Sequence, residues 1–335
     1  MDPSIAKADS IKESHRPLVQ VIIPAYNSAT YIDACFASLI NQTYQHWEAL
    51  VIEDASNDGL TPQLCDSWAQ KDKRIRVWHL EQNRGVAYAR NRALQYATAE
   101  WIAFLDSDDL LLPNHLQSLV EAVVSSGATM SFTGYYPYQT PKGTRSANGV
   151  LAPNKLFTTR EIIIRTCLEK RGMATYLWRC LFRREMFTSI SFPEGRVFED
   201  YTIFLPLISQ AERIVHTGRA TYNYRWTPNS IVNTNSVRNL RDYSYALLER
   251  YYQIENSLIL SERERTMLLL WPTKRFYQLV HEAEHLPLGV EREAVLQELS
   301  TMMISIGLRP RTSYPYSLQM LLFSIKKRFF EWILL

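Results

Sequence analysis

Short apolar runs alternate with stretches of helical periodicity through the first half of the chain. Val19 to Pro24 (VQVIIP) is rich in β-branched residues and predicts a buried strand. Tyr31, Ile32, Cys35, Phe36, Leu39 and Ile40 then recur at helical spacing, which predicts an amphipathic helix over Ser28 to Gln42. A second strand, Trp47 to Ile52, ends on Glu53-Asp54. The pattern continues with a helix over Pro62 to Gln70, a strand over Ile75 to Leu80 and a helix over Val86 to Ala97. Strand Trp101 to Leu105 runs straight into Asp106-Ser107-Asp108-Asp109, and the helix after Pro113 carries Leu116, Leu119, Val120 and Val123 on one face. Strands and helices alternating through short links imply an α/β fold with a mostly parallel sheet flanked by helices. Ligands of such sheets bind beyond the carboxyl ends of the strands. Ala25-Tyr26-Asn27, Glu53-Asp54 and Asp106 to Asp109 each follow a strand end, so they are expected to converge on one crevice.

The second half is less regular. Tyr135 to Asn154, rich in Gly, Pro, Thr and Ser, reads as a loop. Leu177 to Phe182 reads as a strand, and Glu199-Asp200 opens a helix reaching about Ala211. Beyond Asn235 only helices are expected, roughly over 236–256, 261–285, 290–306 and 316–335. A boundary near Asn235 would divide the chain into a sheet domain, 17–235, and a helical region, 236–335.

Charge adds one local feature. The net charge of +3 over 335 residues is too small for a nucleic-acid binder. The 8 Trp and 19 Tyr are scattered, which does not build a base-stacking surface. From Arg309 onward, five basic residues face Glu331 alone, giving +4 and leaving the rest of the chain near −1. The four cysteines form no CxxC motif and suggest a reducing compartment. With no signal-like start and no long apolar span, a cytoplasmic protein is expected.

FLDSDD, Phe104 to Asp109, is the sharpest chemical signal. Carboxylates crowded at a strand end raise one another's proton affinity, and a hard divalent cation, Mn2+ or Mg2+, relieves that cost. The alternative is that Ser107 or Asp108 caps the next helix, with Pro113 in its first turn. HEAEH, His281 to His285, fits a zinc-protease pattern, but Pro287 follows and no third ligand is evident, so a solvated helix face is the better account.

Five blocks and a later acidic pair carry a family resemblance. They are VIIPAYN (Val21 to Asn27), NQTYQHWE (Asn41 to Glu48), VIEDASNDG (Val51 to Gly59), NRGVAYARN (Asn83 to Asn91), FLDSDD, and FED (Phe198 to Asp200). Over about residues 18 to 235 the sequence resembles inverting family-2 glycosyltransferases of the GT-A fold, of the type that builds bacterial surface polysaccharides. The resemblance implies a nucleotide-sugar donor, a UDP-sugar by preference, and a glycan or lipid-linked acceptor. Pro24, Ala25 and Tyr26 match the loop that touches the nucleotide base. Asp54 matches the acidic residue that accepts from a uracil-type base, with Glu53 replacing a more usual aspartate. Asp106 matches the residue contacting donor and metal, Ser107 lies within the same donor motif, and Asp108 matches the metal ligand.

Arg90 falls beside the donor, or is a solvated helix residue. Asp200 matches the general base that deprotonates the acceptor, against the reading that it merely supplies an acidic first turn. Arg225, in YNYRWTPNSIVN (Tyr222 to Asn233), would meet the pyrophosphate, or belong to an aromatic strand that only packs the core. Ser317 to Leu335 joins aromatic and aliphatic residues to Lys326-Lys327-Arg328, which suits a helix on an anionic membrane surface, or one closing the helical region. Two other functions stay open at this point. Nucleotidyl transfer would want a Gly-rich, Lys-bearing phosphate loop, and none follows Pro24. A non-catalytic binding protein of the same fold is opposed by Asp106, Asp108 and Asp200.

Overall fold

The computed structural model describes residues 16–139, 146–168, 175–227, 236–309 and 323. Four strands of the first half form a parallel array: β1 (Val19–Ala25), β2 (Trp47–Glu53), β3 (Ile75–His79) and β4 (Trp101–Phe104). Their side chains alternate between two cores, as the pleat requires. Ile22, Leu50, Ile52, Ile102 and Phe104 face one side, while Val21, Ile23, Ala49, Val51 and Ala103 face the other. Helix α1 (Ile32–Ile40) covers the second side with Ile32, Cys35, Phe36 and Leu39. It begins later than Ser28 because Ser28 to Tyr31 folds into a turn, the Tyr31 and Ile32 N–H groups both donating to the Ser28 carbonyl. Helices α2 (Thr61–Lys71) and α3 (Val86–Tyr96) follow, and α3 lays Ala87, Ala89 and Ala93 on the first side.

The rest of the sheet is mixed. After the short β5 (Leu110–Leu111) and helix α4 (His115–Ser126) come β6 (Met130–Tyr138), β7 (Lys155–Thr158), helix α5 (Thr159–Cys167), β8 (Cys180–Arg183), helix α6 (Glu199–Ser209) and β9 (Arg213–Arg225). Among the described residues the strand order is β3-β2-β1-β4-β8-β6-β9-β5, with β7 also paired to β9. Strands β4 and β8 are antiparallel, β6 and β8 likewise, whereas β6 and β9 run parallel.

Three expectations are corrected here. Tyr135 to Tyr138 continue β6 instead of opening a loop, because each pairs with β9 from Tyr222 to Arg225. The stretch Leu177 to Phe182 begins with a 3-10 turn over Leu177–Arg179 before the strand starts at Cys180. Neither Ser107 nor Asp108 caps a helix, since α4 starts at His115 with Asn114 before it.

Helices α5 and α6 share the first core with α3, and that shared face positions the site. Thr158 and Glu161 form a reciprocal capping box that fixes the start of α5. Beyond residue 235 stand α7 (Val237–Glu255), α8 (Glu262–Leu268), α9 (Leu270–Glu284) and α10 (Val290–Ser305). Leu247, Phe276, Leu279, Val295 and Leu299 give them a core of their own, while Ile254, Leu260 and Leu268 join the sheet's first core. The boundary residue Asn235 and most of the tail from 310 onward lie outside the described residues. Among the described residues no helix is long and apolar enough to cross a membrane.

Candidate active site

Parallel pairing of Ala25 with Glu53 and of Ile22 with Phe104 brings the carboxyl ends of β1, β2 and β4 to one edge. The chain leaves two of these ends through left-handed backbone at non-glycine residues, Asn27 at φ 49° and Ala55 at φ 52°. Such positions cost about 1–3 kcal/mol each and persist where surrounding bonds over-determine them. Here the Asn27 side chain accepts from the Asn57 N–H and donates to Asn57 Oδ1, both at 2.9 Å. Pro24 and Ala25 complete β1, and Tyr26 projects beside them with 44% exposure.

Both members of Glu53-Asp54 are buried, yet they do different work. Glu53 accepts from the Ser56 N–H at 2.7 Å and contacts His79 Nδ1 at 3.2 Å, so it shapes the loop. Asp54 Oδ1 accepts from the Arg84 N–H at 2.7 Å, and Oδ2 from the Gly85 N–H at 2.7 Å and Asn83 Nδ2 at 3.1 Å. Burial raises its pKa despite those bonds. Two carboxylate oxygens offer roughly four acceptor positions. Three are used, which leaves room on Oδ1 for a further donor.

The FLDSDD segment spreads its carboxylates over separate tasks. Ser107 is buried, its hydroxyl 2.6 Å from that of Ser28. Asp109 is structural: it accepts from the Tyr222 hydroxyl at 2.7 Å and the Arg225 N–H at 2.6 Å, tying the segment to β9. Burial, then Asp108 and Asp106, push the Asp109 carboxyl well above the usual carboxylate range. The Asp108 side chain accepts no hydrogen bond from another described residue, and burial with Asp106 beside it lifts its pKa to about 6. Two neighbouring carboxylates, one of them short of donors, fit a hard divalent cation. Such an ion is usually completed by substrate phosphate and water, so two protein ligands suffice. Arg225 flanks them. Its Nε donates to the Asp108 carbonyl at 2.6 Å, Nη1 donates to Gln139, and its guanidinium lies 4.8 Å from the Tyr31 ring.

Arg90 joins the two chemical elements. It is buried on the inner face of α3, which overturns its reading as a solvated helix residue. Nη2 donates to Asp106 Oδ1 at 2.8 Å, while Nη1 donates to Glu199 Oε1. One guanidinium thus ties the donor motif to the acidic pair that opens α6. Phe198 precedes that helix in left-handed backbone, φ 63°, with no side-chain cap. Asp200 Oδ1 accepts from its neighbour's N–H on Tyr201 at 2.7 Å. Burial is the largest influence on Asp200, followed by Glu199, and its pKa rises to about 7, Arg90 and the Tyr201 N–H pulling only part of the way back. Glu199 as the partner of Arg90 escaped sequence reasoning. The available signal was an arginine spaced among Ala87, Ala89 and Ala93 on a face too apolar for solvent.

His281 to Glu284 form the end of α9 with His285 just beyond it, and among the described residues no three His, Cys, Asp or Glu side chains gather into a ready metal cage. The end of the YNYRWTPNSIVN string, residues 228–233, lies outside the described residues.

The sequence model of the family described as glycosyl transferase family 2 matches residues 20–188. A candidate teichuronic acid biosynthesis glycosyltransferase of Bacillus subtilis (strain 168) is 33% identical over 216 residues, covering 64% of this chain and 82% of that protein. The Escherichia coli UDP-Glc:alpha-D-GlcNAc-diphosphoundecaprenol beta-1,3-glucosyltransferase is 29% identical over 251 residues, covering 72% and 93%. In structure, the chain is similar to S. aureus TarS residues 1–349, solved with UDP-GlcNAc, at a TM-score of 0.69 and 21% identity, covering 85% of this chain and 81% of that one. That likeness shows a shared GT-A fold.

Proposed function

The chain belongs to glycosyl transferase family 2, and we propose that it moves a monosaccharide from a nucleotide diphosphate sugar, a UDP-sugar, to a hydroxyl of a glycan or lipid-linked acceptor with inversion at the anomeric carbon. The observation that carries this reading is the bridge from Asp106 through Arg90 to Glu199, which ties the donor motif to the acidic pair that includes Asp200. Asp54 and the Pro24-Ala25-Tyr26 loop would take the base. Asp106 and Asp108 would hold Mn2+ or Mg2+, with Ser107 fixing the turn between them and Arg225 offering positive charge toward the diphosphate. When bound, the cation stabilises the negative charge of the leaving diphosphate as a Lewis acid. Asp200 accepts the proton of the acceptor hydroxyl as that oxygen attacks the anomeric carbon. The bond from carbon to diphosphate breaks, and its electron pair leaves with the nucleoside diphosphate.

The polysaccharide setting rests on the relatives described above, one named for teichuronic acid biosynthesis and the other for a diphosphoundecaprenol-linked acceptor. We take residues 236–335, which hold α7 to α10, as a region appended to the 17–235 catalytic domain of a cytoplasmic protein. A lipid-linked acceptor gives the basic, aromatic tail a use at an anionic membrane. In liposome sedimentation the full chain is expected to pellet with anionic vesicles, less so as salt shortens the screening length below its physiological ~8 Å. Equal pelleting with neutral vesicles removes the preference for anionic lipid, and no pelleting with anionic ones removes membrane binding.

Incubation with UDP-, GDP- and dTDP-sugars plus Mn2+ tests the activity. Slow hydrolysis of one donor supports the transferase. Release of sugar 1-phosphate points to nucleotidyl transfer, and binding without turnover to a non-catalytic protein. Calorimetry on Asp108→Ala tests the ion site: the gain in UDP affinity brought by Mn2+ should shrink at least about tenfold, ~1.4 kcal/mol, in a protein that still melts cooperatively. An unchanged Mn2+ dependence moves the ligand elsewhere.

A further inference from the structure

Five aromatic side chains outside the donor machinery form one continuous wall. Trp178 is its centre. The Tyr176 ring lies 4.9 Å from it and 11° from parallel, Tyr222 at 4.3 Å and 26°, and Tyr224 at 5.4 Å and 12°. Tyr135 meets Tyr176, Trp178 and Tyr224 edge-on at 5.8, 5.1 and 6.3 Å. Trp178 and Tyr222 are buried, whereas Tyr135, Tyr176 and Tyr224 are only half-buried.

This arrangement differs from the phenylalanine packing in the sheet's first core. Phe104 with Phe182, Phe187 and Phe192 makes edge contacts among buried, purely hydrocarbon rings. The wall instead ends in phenol hydroxyls, and it reaches both chemical elements of the site. Tyr222 donates to Asp109. Its hydroxyl also accepts from the Asp106 N–H at 3.4 Å, and Arg90 carries Asp106 on to Glu199, the neighbour of Asp200. Burial first, then Tyr135 and Asp200, raise the Tyr176 phenol to about 12, so it remains a hydroxyl donor at neutral pH.

We propose that this wall is the acceptor platform: the half-buried face of Tyr176, backed by Trp178, takes the apolar face of a pyranose ring and presents one of its hydroxyls to Asp200. The proposal rests on the transferase reading and names the substrate class for its acceptor side. A pyranose has a C–H face and a rim of hydroxyls, and it needs both an aromatic surface and nearby polar groups. The wall supplies both, with phenol hydroxyls on Tyr135, Tyr176 and Tyr224 and the Tyr222 hydroxyl bonded to the Asp109 carboxylate. An acyl chain would use the ring faces but leave the hydroxyls without a partner. The parallel stack also holds Tyr176 in place before any ligand arrives, which lowers the ordering cost of binding.

Saturation-transfer NMR on the full chain with UDP and Mg2+ tests this, using methyl β-glucopyranoside, methyl β-galactopyranoside and methyl N-acetyl-β-glucosaminide as probes. Ring C–H protons of at least one probe should receive saturation from the wild-type protein. Tyr176→Ala should weaken that binding about threefold to tenfold, the range that aromatic stacking spans, while Tyr176→Phe keeps the stack and most of the signal. The melting shift produced by UDP serves as the control for an intact fold in each variant. Equal saturation of wild type and Tyr176→Ala overturns the platform, as does an equal loss in both variants. A wild-type chain that binds UDP but no pyranoside removes the platform and leaves the donor reading standing. A wild-type chain that binds no UDP removes the donor reading, and the platform falls with it.

Discussion

Asp200→Asn is expected to lower sugar transfer about 10²–10⁴-fold, the usual effect of removing a general base, while UDP and metal affinity stay near wild type. The amide keeps the shape of the side chain and still accepts from the Tyr201 N–H, but it cannot take the acceptor's proton. Two further readouts follow from the Asp200 pKa of about 7, raised by burial and by Glu199. Proton acceptance needs the ionised form, so kcat/KM of the wild-type enzyme should climb with pH and level off above about 7. The Asn variant should lose that rise.

Stability runs the other way. A carboxyl whose folded pKa lies above its ordinary 3.8 binds its proton more tightly when folded, so the folded state is favoured at low pH. That advantage drains as pH climbs from about 4 to about 7, and above this window the ionised group is a net burden on the fold. Asp200→Asn should therefore melt several degrees higher than wild type at pH 8, with the gap closing toward pH 4. A variant retaining more than roughly a tenth of transfer activity, far above the general-base range, would place the base elsewhere, with Glu199 the next candidate.

The sequence revealed the site's ends more readily than its middle. Each of Pro24, Asp54 and Asp106 sits at or just after an apolar strand, and short-range periodicity locates strand ends well. Parallel pairing then brings them to one edge without further information. The antiparallel half was harder to read. Strand β6 ends in Tyr135-Tyr136-Pro137-Tyr138, a proline-bearing string with loop-like composition, and pairing with β9, far along the chain, with a bridge from Tyr135 to Asn148, holds it extended. Long-range pairing leaves no local signature. Asp109 illustrates the same limit. In sequence it is a third carboxylate like the other two, whereas in the fold Tyr222 and the Arg225 N–H, more than a hundred residues away, claim both its oxygens. Whether helix polarity or Glu199 would dominate Asp200 was likewise open from sequence. Burial decided it, and burial depends on α3 and α6 sharing one core.

Arg90→Met should be the most disruptive single substitution in the crevice, because the side chain removed is the common partner of two carboxylates. Arg90 is 6% exposed, Glu199 9% and Asp106 27%. Breaking a buried pair by deleting one partner typically costs ~3–5 kcal/mol, and the partial hydration of Asp106 favours the lower part of that range. Arg90→Lys restores the charge but not the geometry, since an ammonium lacks the planar fork that spans two carboxylates. It should recover more stability than activity. A purely structural arginine would change melting alone. Arg90, however, also lowers the proton affinity of Asp200. Without it the Asp200 pKa should rise further, and the acid limb of the pH–rate profile should move to higher pH. The measurement is therefore paired: thermal melting and kcat/KM against pH for wild type, Arg90→Met and Arg90→Lys. A limb that stays in place while melting falls would confine Arg90 to holding α3 against α6. A limb displaced upward in Arg90→Met and largely restored in Arg90→Lys would make it the residue through which the donor motif sets the charge of the base.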